Sequence, residues 1–291
     1  MGDIFKIRNL AIYCQLMRIN QPGGLFLLLW PTLWSLWLSG MSAPPLKVLF
    51  VFMLGVFVMR SAGCVINDII DRNIDGYIRR TQNRPLSIRK ISVKKAKLLH
   101  ISLLVIACSL VLTMNIITIL FSTVGLALTW IYPFMKRYTY WPQVFLGVAF
   151  SLSIPMAWSA ISDRIPIACW LLFFGNFFWV LSYDTQYAMV DRLDDLKIGV
   201  KSTAILFHRY DKLVIALLQL LSLTFLTLVG WELALHPIFY VAILGVFMLF
   251  TYQQLLIASR QEERCFKAFL QNNWVGLIIF TGIVLSTSSV L

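Results

Sequence analysis

The chain has 291 residues, of which 59% are hydrophobic and 13% charged, and its mean hydropathy is +0.79. Those values exclude an ordinary soluble domain and point to a protein that lives in a bilayer. The formal charge of +12 would suit a nucleic-acid binder only as a solvated basic face, and here the cations sit in loops between apolar runs, so no nucleic-acid partner is expected.

In chain order, the first 21 residues mix Lys6, Arg8 and Arg18 with Ile4, Phe5, Ile7, Leu10, Ile12 and Leu16. That mixture predicts an amphipathic helix at the membrane interface rather than a cleaved signal peptide. Apolar runs of bilayer-crossing length then predict nine spans, at about 22–40, 46–66, 98–114, 116–134, 142–160, 166–186, 213–230, 237–257 and 273–290. In the first, Trp30, Trp34 and Trp37 form an i, i+4, i+7 stripe, which can attract a cation through its π faces or fill a bundle. The five cysteines form no CxxC pair and the three histidines have no metal-like spacing, so neither a disulfide framework nor a zinc site is expected.

Nine spans sort the 25 Lys and Arg residues unevenly: only Lys47 and Arg164 fall on one side and the other 23 on the opposite one. The positive-inside rule places the crowded side in the cytoplasm. The two long loops, about 67–97 and 187–212, lie there, and each opens with an acidic cluster. Spans one to four and five to eight thus read as comparable halves of a single domain over 1–291, with the ninth span appended.

The first cluster is Asn67-Asp68-Ile69-Ile70-Asp71-Arg72-Asn73-Ile74-Asp75. On a continuing helix Asp68, Asp71 and Asp75 share one face. The second holds Asp191, Asp194 and Asp195, with Tyr187 and Asp184 one and two turns earlier. Seven of the 13 acidic residues lie in these stretches, at the membrane edge where charge is costly. Two carboxylates ~6 Å apart repel by about 3 kcal/mol at an effective dielectric near 20, so stacked carboxylates call for a divalent cation. Hard oxygen donors with an amide carbonyl suit Mg²⁺, which prefers to share its shell with phosphates. The plainer alternative is a pair of solvated helix ends, with Arg72, Arg79, Arg192 or Lys197 as surface partners. A bound diphosphate would need cations as well, for which Arg72, Arg79, Arg84, Lys136, Arg137 and Lys201 are candidates.

At these clusters the chain resembles the UbiA superfamily of intramembrane prenyltransferases, through its NDxxDxxxD pattern at Asn67, Asp68, Asp71 and Asp75 and its DxxxD pattern at Asp191 and Asp195. The segments 16–39, 60–86, 132–143 and 182–207 extend the resemblance toward the bacterial members that prenylate 4-hydroxybenzoate for ubiquinone synthesis. It implies an all-α polytopic bundle of about nine transmembrane helices around a central cavity open to the cytoplasm and to lipid. It further implies Mg²⁺ bridging both motifs, through Asn67, Asp68, Asp71, Asp75, Asp191 and Asp195, to a polyprenyl diphosphate. Arg137 and Asp191, with Tyr187, are the implied partners of 4-hydroxybenzoate and the implied catalytic pair. Asp191 cannot easily be both a tight metal ligand and the phenol's partner, and both roles stay open.

Overall fold

The computed structural model describes residues 7–288, with side chains from residue 10 onward. All regular structure among the described residues is helical. A first helix α1 (Ile7–Leu16) precedes α2 (Gly23–Gly40), α3 (Leu46–Asp71), α4 (Val93–Val111), α5 (Ile116–Tyr138), α6 (Pro142–Ser151) and α7 (Ser153–Ser162). There follow α8 (Ile167–Ile198), the short α9 (Thr203–Phe207), α10 (Asp211–Glu232), α11 (Ile238–Ile257) and α12 (Glu262–Ser288). Eight stretches are long and apolar enough to cross a membrane, with α6 and α7 forming one and α9 and α10 another. The remaining expected span, 98–114, corresponds to α4, which is 19 residues long and carries Lys94, Lys95 and Lys97 in its first turns. The all-α, multi-pass architecture of about nine spans is therefore the observed one.

Hydropathy marks the membrane-embedded part of a helix and not its ends, so α8 and α12 run well beyond the predicted spans into charged residues. The predicted span 142–160 is in fact two helices meeting at Leu152. Pro155 lacks the N–H that would bond the carbonyl of Ser151, and α8 seals the break where Asn176 Nδ2 donates to Ser151 Oγ at 2.8 Å.

The tryptophan stripe of α2 fills the bundle. Trp34 stacks on Trp179 of α8 with centroids 5.2 Å apart, and its Nε1 donates to the carbonyl of Gly276 at 3.1 Å. Trp30 and Trp37 both meet Phe280 of α12, at 5.9 and 5.0 Å. The lack of a Cβ at Gly276 is what admits the Trp30 indole.

A chain of buried amides crosses the second half of the bundle. Trp179 Nε1 donates to Asn272 Oδ1 at 2.8 Å, Asn272 Nδ2 to Gln186 Oε1 at 3.1 Å, and Gln186 Nε2 to Gln253 Oε1 at 3.1 Å. Gln219 Nε2 also donates to Gln253 Oε1, at 2.9 Å. Four helices, α8, α10, α11 and α12, are joined by side chains that hydrocarbon cannot satisfy.

Candidate active site

The last turn of α3 carries Asn67, Asp68 and Asp71, and the two aspartates are each only 1% exposed. The helix does not continue to Asp75 as expected. Arg72 Nη1 folds back on the carbonyl of Ile69 at 2.7 Å, satisfying one of the open acceptors of a helix end. The chain then turns, with Ile74 N bonded to the Asp71 carbonyl at 2.8 Å, and Asp75 begins a single 3-10 turn. Arg72 thus serves the helix end and touches none of the carboxylates.

Arg84 brings Asp75 back to its partners. Its Nη1 lies 2.9 Å from Asp75 Oδ2 and 3.1 Å from Asp68 Oδ1. Asp68 Oδ1 also accepts from Arg18 Nη2 at 2.8 Å. Lys136, at the end of α5, donates to Asp71 Oδ2. Its neighbour Arg137 donates to the Ile70 carbonyl at 2.9 Å and stands 3.7 Å from Asp71 Oδ1. Burial pushes the Asp75 carboxyl above its ordinary range; Arg84 opposes the shift, and the neighbouring Asp71 and Asp68 add to it.

The second cluster lies on the exposed end of α8, which stops where Gly199 takes a left-handed φ of 71° and its N–H bonds the Asp195 carbonyl. Arg80, from the loop after α3, clamps Asp191 with both arms of its guanidinium: Nη2 lies 2.5 Å from Oδ2 and Nε 3.1 Å from Oδ1. That guanidinium also sits 4.6 Å from the ring centre of Tyr187, whose ring packs on Phe269 at 4.7 Å. Asp194 turns aside. It pairs with Lys197 at 3.1 Å and with Arg79 at 3.8 Å, and Arg79 reaches on to Glu262 at 3.2 Å, so for Asp194 the surface-pair alternative describes what is seen. Lys201 meets none of the carboxylates: its backbone N bonds the Lys136 carbonyl at 2.8 Å and its Nζ the Tyr138 carbonyl at 3.1 Å. It ties the turn after α8 to the end of α5 that carries Lys136 and Arg137.

The structure therefore brings Asp68, Asp71, Asp75, Asp191, Arg84, Lys136, Arg137 and Tyr187 to the loop-bearing ends of the bundle. It adds Arg18 and Arg80, which the sequence marked only as topogenic. Neither carries a local signal, since each meets its partner across a long separation in sequence. Arg60, on the membrane-embedded part of α3, hydrogen-bonds Cys64 Sγ, and a Cβ on Gly24 would fall 2.5 Å from its Nη2.

Among the described residues no three carboxylates converge as a ready metal cage, because most are turned toward cations. The donors nevertheless fit a hard divalent ion. Asp71 Oδ1 is buried without a hydrogen bond. Among the described residues, Asp195, 7% exposed, makes no ion pair, and the Asn67 amide makes no side-chain hydrogen bond. Three oxygen donors are thus uncommitted, beside carboxylates that a rotation about one or two bonds would release.

The sequence pattern of the UbiA prenyltransferase family matches residues 28–278. The chain belongs to this family. The 4-hydroxybenzoate octaprenyltransferase of Sodalis glossinidius (strain morsitans) is 59% identical over 277 residues, covering 95% of this chain and 96% of that protein. The protein of the same name from Yersinia pestis is 57% identical over 274 residues, covering 94% of this chain and 95% of its own. Among solved structures, the apo UbiA homologue of Aeropyrum pernix K1 superposes with a TM-score of 0.78 at 22% identity, over 89% of this chain and 97% of that one. The homologue of Archaeoglobus fulgidus bound to GPP and Mg²⁺ gives 0.74 at 18% identity, over 95% and 99%. At those identities the likeness is one of fold.

Proposed function

We propose that the protein is a 4-hydroxybenzoate polyprenyltransferase, which moves the polyprenyl group of a polyprenyl diphosphate onto the ring carbon ortho to the acceptor's hydroxyl and releases diphosphate, in ubiquinone formation. The observation that carries this is that two acidic helix ends, on α3 and α8, are both held by cations of one loop, Arg84 on Asp68 and Asp75 and Arg80 on Asp191. The relatives' name and their near-complete coverage of this chain support an eight-unit prenyl donor. The skew of 23 cations to two supports a multi-pass protein of the bacterial inner membrane with this site on the cytoplasmic side.

Asn67, Asp68, Asp71, Asp75 and Asp195, with Asp191, are the residues that would hold Mg²⁺ through their oxygens. When bound, that ion draws electron density from the departing diphosphate and so lowers the cost of breaking the allylic carbon–oxygen bond. Arg18, Arg84 and Lys136 stand where they can hold the diphosphate oxygens and take up the negative charge that grows there. Arg79 and Lys201 support from the rim: Arg79 fastens the loop to Asp194, and Lys201 holds the Lys136 backbone. The bonding pair leaves with the diphosphate, the allylic cation accepts a π pair from the ortho carbon, and the ring proton passes to the departing diphosphate or a motif carboxylate, which restores aromaticity. Arg137 is the cation for the acceptor's carboxylate, with Tyr187 beneath Arg80 as a wall. The loop from Ile78 to Ser92, pinned to α8 by Arg79 and Arg80, covers the site and keeps water from the cation.

The test is transfer from a short prenyl diphosphate to 4-hydroxybenzoate by the purified protein, followed by mass spectrometry with and without Mg²⁺, beside D71A and D191A. Magnesium-dependent prenylated product, lost in both variants, is the expected result. Turnover with a naphthoate and none with 4-hydroxybenzoate would overturn the acceptor, and turnover with neither would overturn the reaction.

A further inference from the structure

Four motif carboxylates carry their counter-charge within the protein: Arg18 and Arg84 on Asp68, Arg84 on Asp75, Lys136 on Asp71 and Arg80 on Asp191. A divalent ion that takes a carboxylate competes with the resident cation, since two cations held on the same oxygens repel one another. For most of these partners yielding is awkward. The Arg84 and Lys136 side chains are 16% and 23% exposed, and Arg84 is shared between two aspartates. Arg80 is different in two ways. Its side chain is 33% exposed, and its partner belongs to the opposite acidic helix, α8. It also grips both Asp191 oxygens at once, the two-point geometry that a metal chelated by this carboxylate would need.

Resting on the reading of the two acidic motifs as one metal and diphosphate site, we infer that Arg80 is a resident counter-ion which a divalent cation displaces from Asp191, and that the freed guanidinium then receives the diphosphate. The exchange is chemically even, because the planar guanidinium fork that fits a carboxylate fits a phosphate equally well. The contact with Tyr187 gives the side chain a surface to pivot on. Thr81 Oγ1, bonded to the Asp75 carbonyl at 2.9 Å, holds the loop backbone beside the site while the side chain moves. Metal and diphosphate therefore bind in mutual support: the metal evicts Arg80, the diphosphate gives it a new partner, and each raises the affinity of the other by the same factor. Arg79 has no such part, because Asp194 and Glu262 hold it on the outer surface.

The experiment measures Mn²⁺ affinity by electron paramagnetic resonance for the full chain in nanodiscs, comparing wild type, R80A and R80K. Each is titrated alone and with a non-reacting prenyl thiolodiphosphate, after subtraction of the chelate formed in buffer. In the absence of the analogue, R80A is expected to bind Mn²⁺ about five-fold or more tighter than wild type, and the tightening produced by the analogue is expected to shrink by a comparable factor. R80K, which keeps the charge and loses the fork, should fall between the two; it carries the same test should R80A aggregate. If R80A matches wild type or binds Mn²⁺ more weakly without the analogue, the inference is overturned and the metal site stands. If wild type takes up no Mn²⁺ with or without the analogue, the reading of the motifs is itself overturned.

Discussion

Two buried carboxylates at the loop-bearing ends of the bundle, Asp211 and Asp71, are both ringed by cations, and they differ in what is left over. Asp211, at the start of α10, is 0% exposed and has both oxygens filled. Arg192 of α8 donates to it, Arg260 beyond α11 donates through Nη2 at 2.8 Å and Nε at 2.9 Å, and the Lys212 backbone N–H adds a bond at 2.7 Å. One negative charge joins three segments and no valence remains open. Asp71 keeps a buried oxygen without a hydrogen bond and shares its surroundings with Asp68 and Asp75. The first arrangement is a joint. The second leaves a buried oxygen valence open that the fold does not use, and that opening is what a ligand can use.

Substitutions at the two carboxylates should therefore separate activity from stability. D71A is expected to lower the rate of prenyl transfer by a factor on the order of 10²–10³, while its midpoint of chemical denaturation in detergent stays close to that of wild type. D211A should do the reverse. Stranding two arginines at a buried joint costs roughly 3 kcal/mol, read from the same denaturation curve, and the protein that remains folded should retain transfer within about three-fold. An equal loss of stability in both variants would erase the distinction. K136Q sharpens it from the cationic side: loss of one charge-assisted bond, worth about 1.5–3 kcal/mol, should appear as a ten- to hundred-fold fall in kcat/KM for the prenyl diphosphate. At the small end stands R72Q, whose side chain serves a helix carbonyl at the surface; its effect on stability is expected within about 0.5 kcal/mol, with transfer rates within about two-fold.

The sequence made the bundle legible because a bilayer imposes length and composition on every crossing segment, and the aspartates of α3 and α8 were legible because helical spacing aligns them. What escaped is whatever depends on partners far along the chain. The expectation that Asp75 continues the α3 face failed at Arg72, whose side chain ends the helix, yet Asp75 still reaches the site through Arg84. Arg18 and Arg80 could not be told from the other loop cations until the fold brought them to Asp68 and Asp191. Lys201, a candidate for the diphosphate, acts on the backbone of Lys136, a contact with no trace in residue type. The interruption at Leu152 was hidden for a different reason: Pro155 leaves hydropathy almost unchanged while removing a backbone donor.

The amide chain running from Trp179 through Asn272 and Gln186 to Gln253 also bears on how the protein is made. Helices enter the bilayer in the order of synthesis, and α8 is inserted long before Asn272 of α12 leaves the ribosome. Until then Trp179 Nε1 and Gln186 Oε1 lack their final partner in a solvent that offers none. The newborn protein is thus held in an incomplete state whose exposed polar groups mark it as unfinished, and completion of the last helix is the event that closes the account for the whole second half.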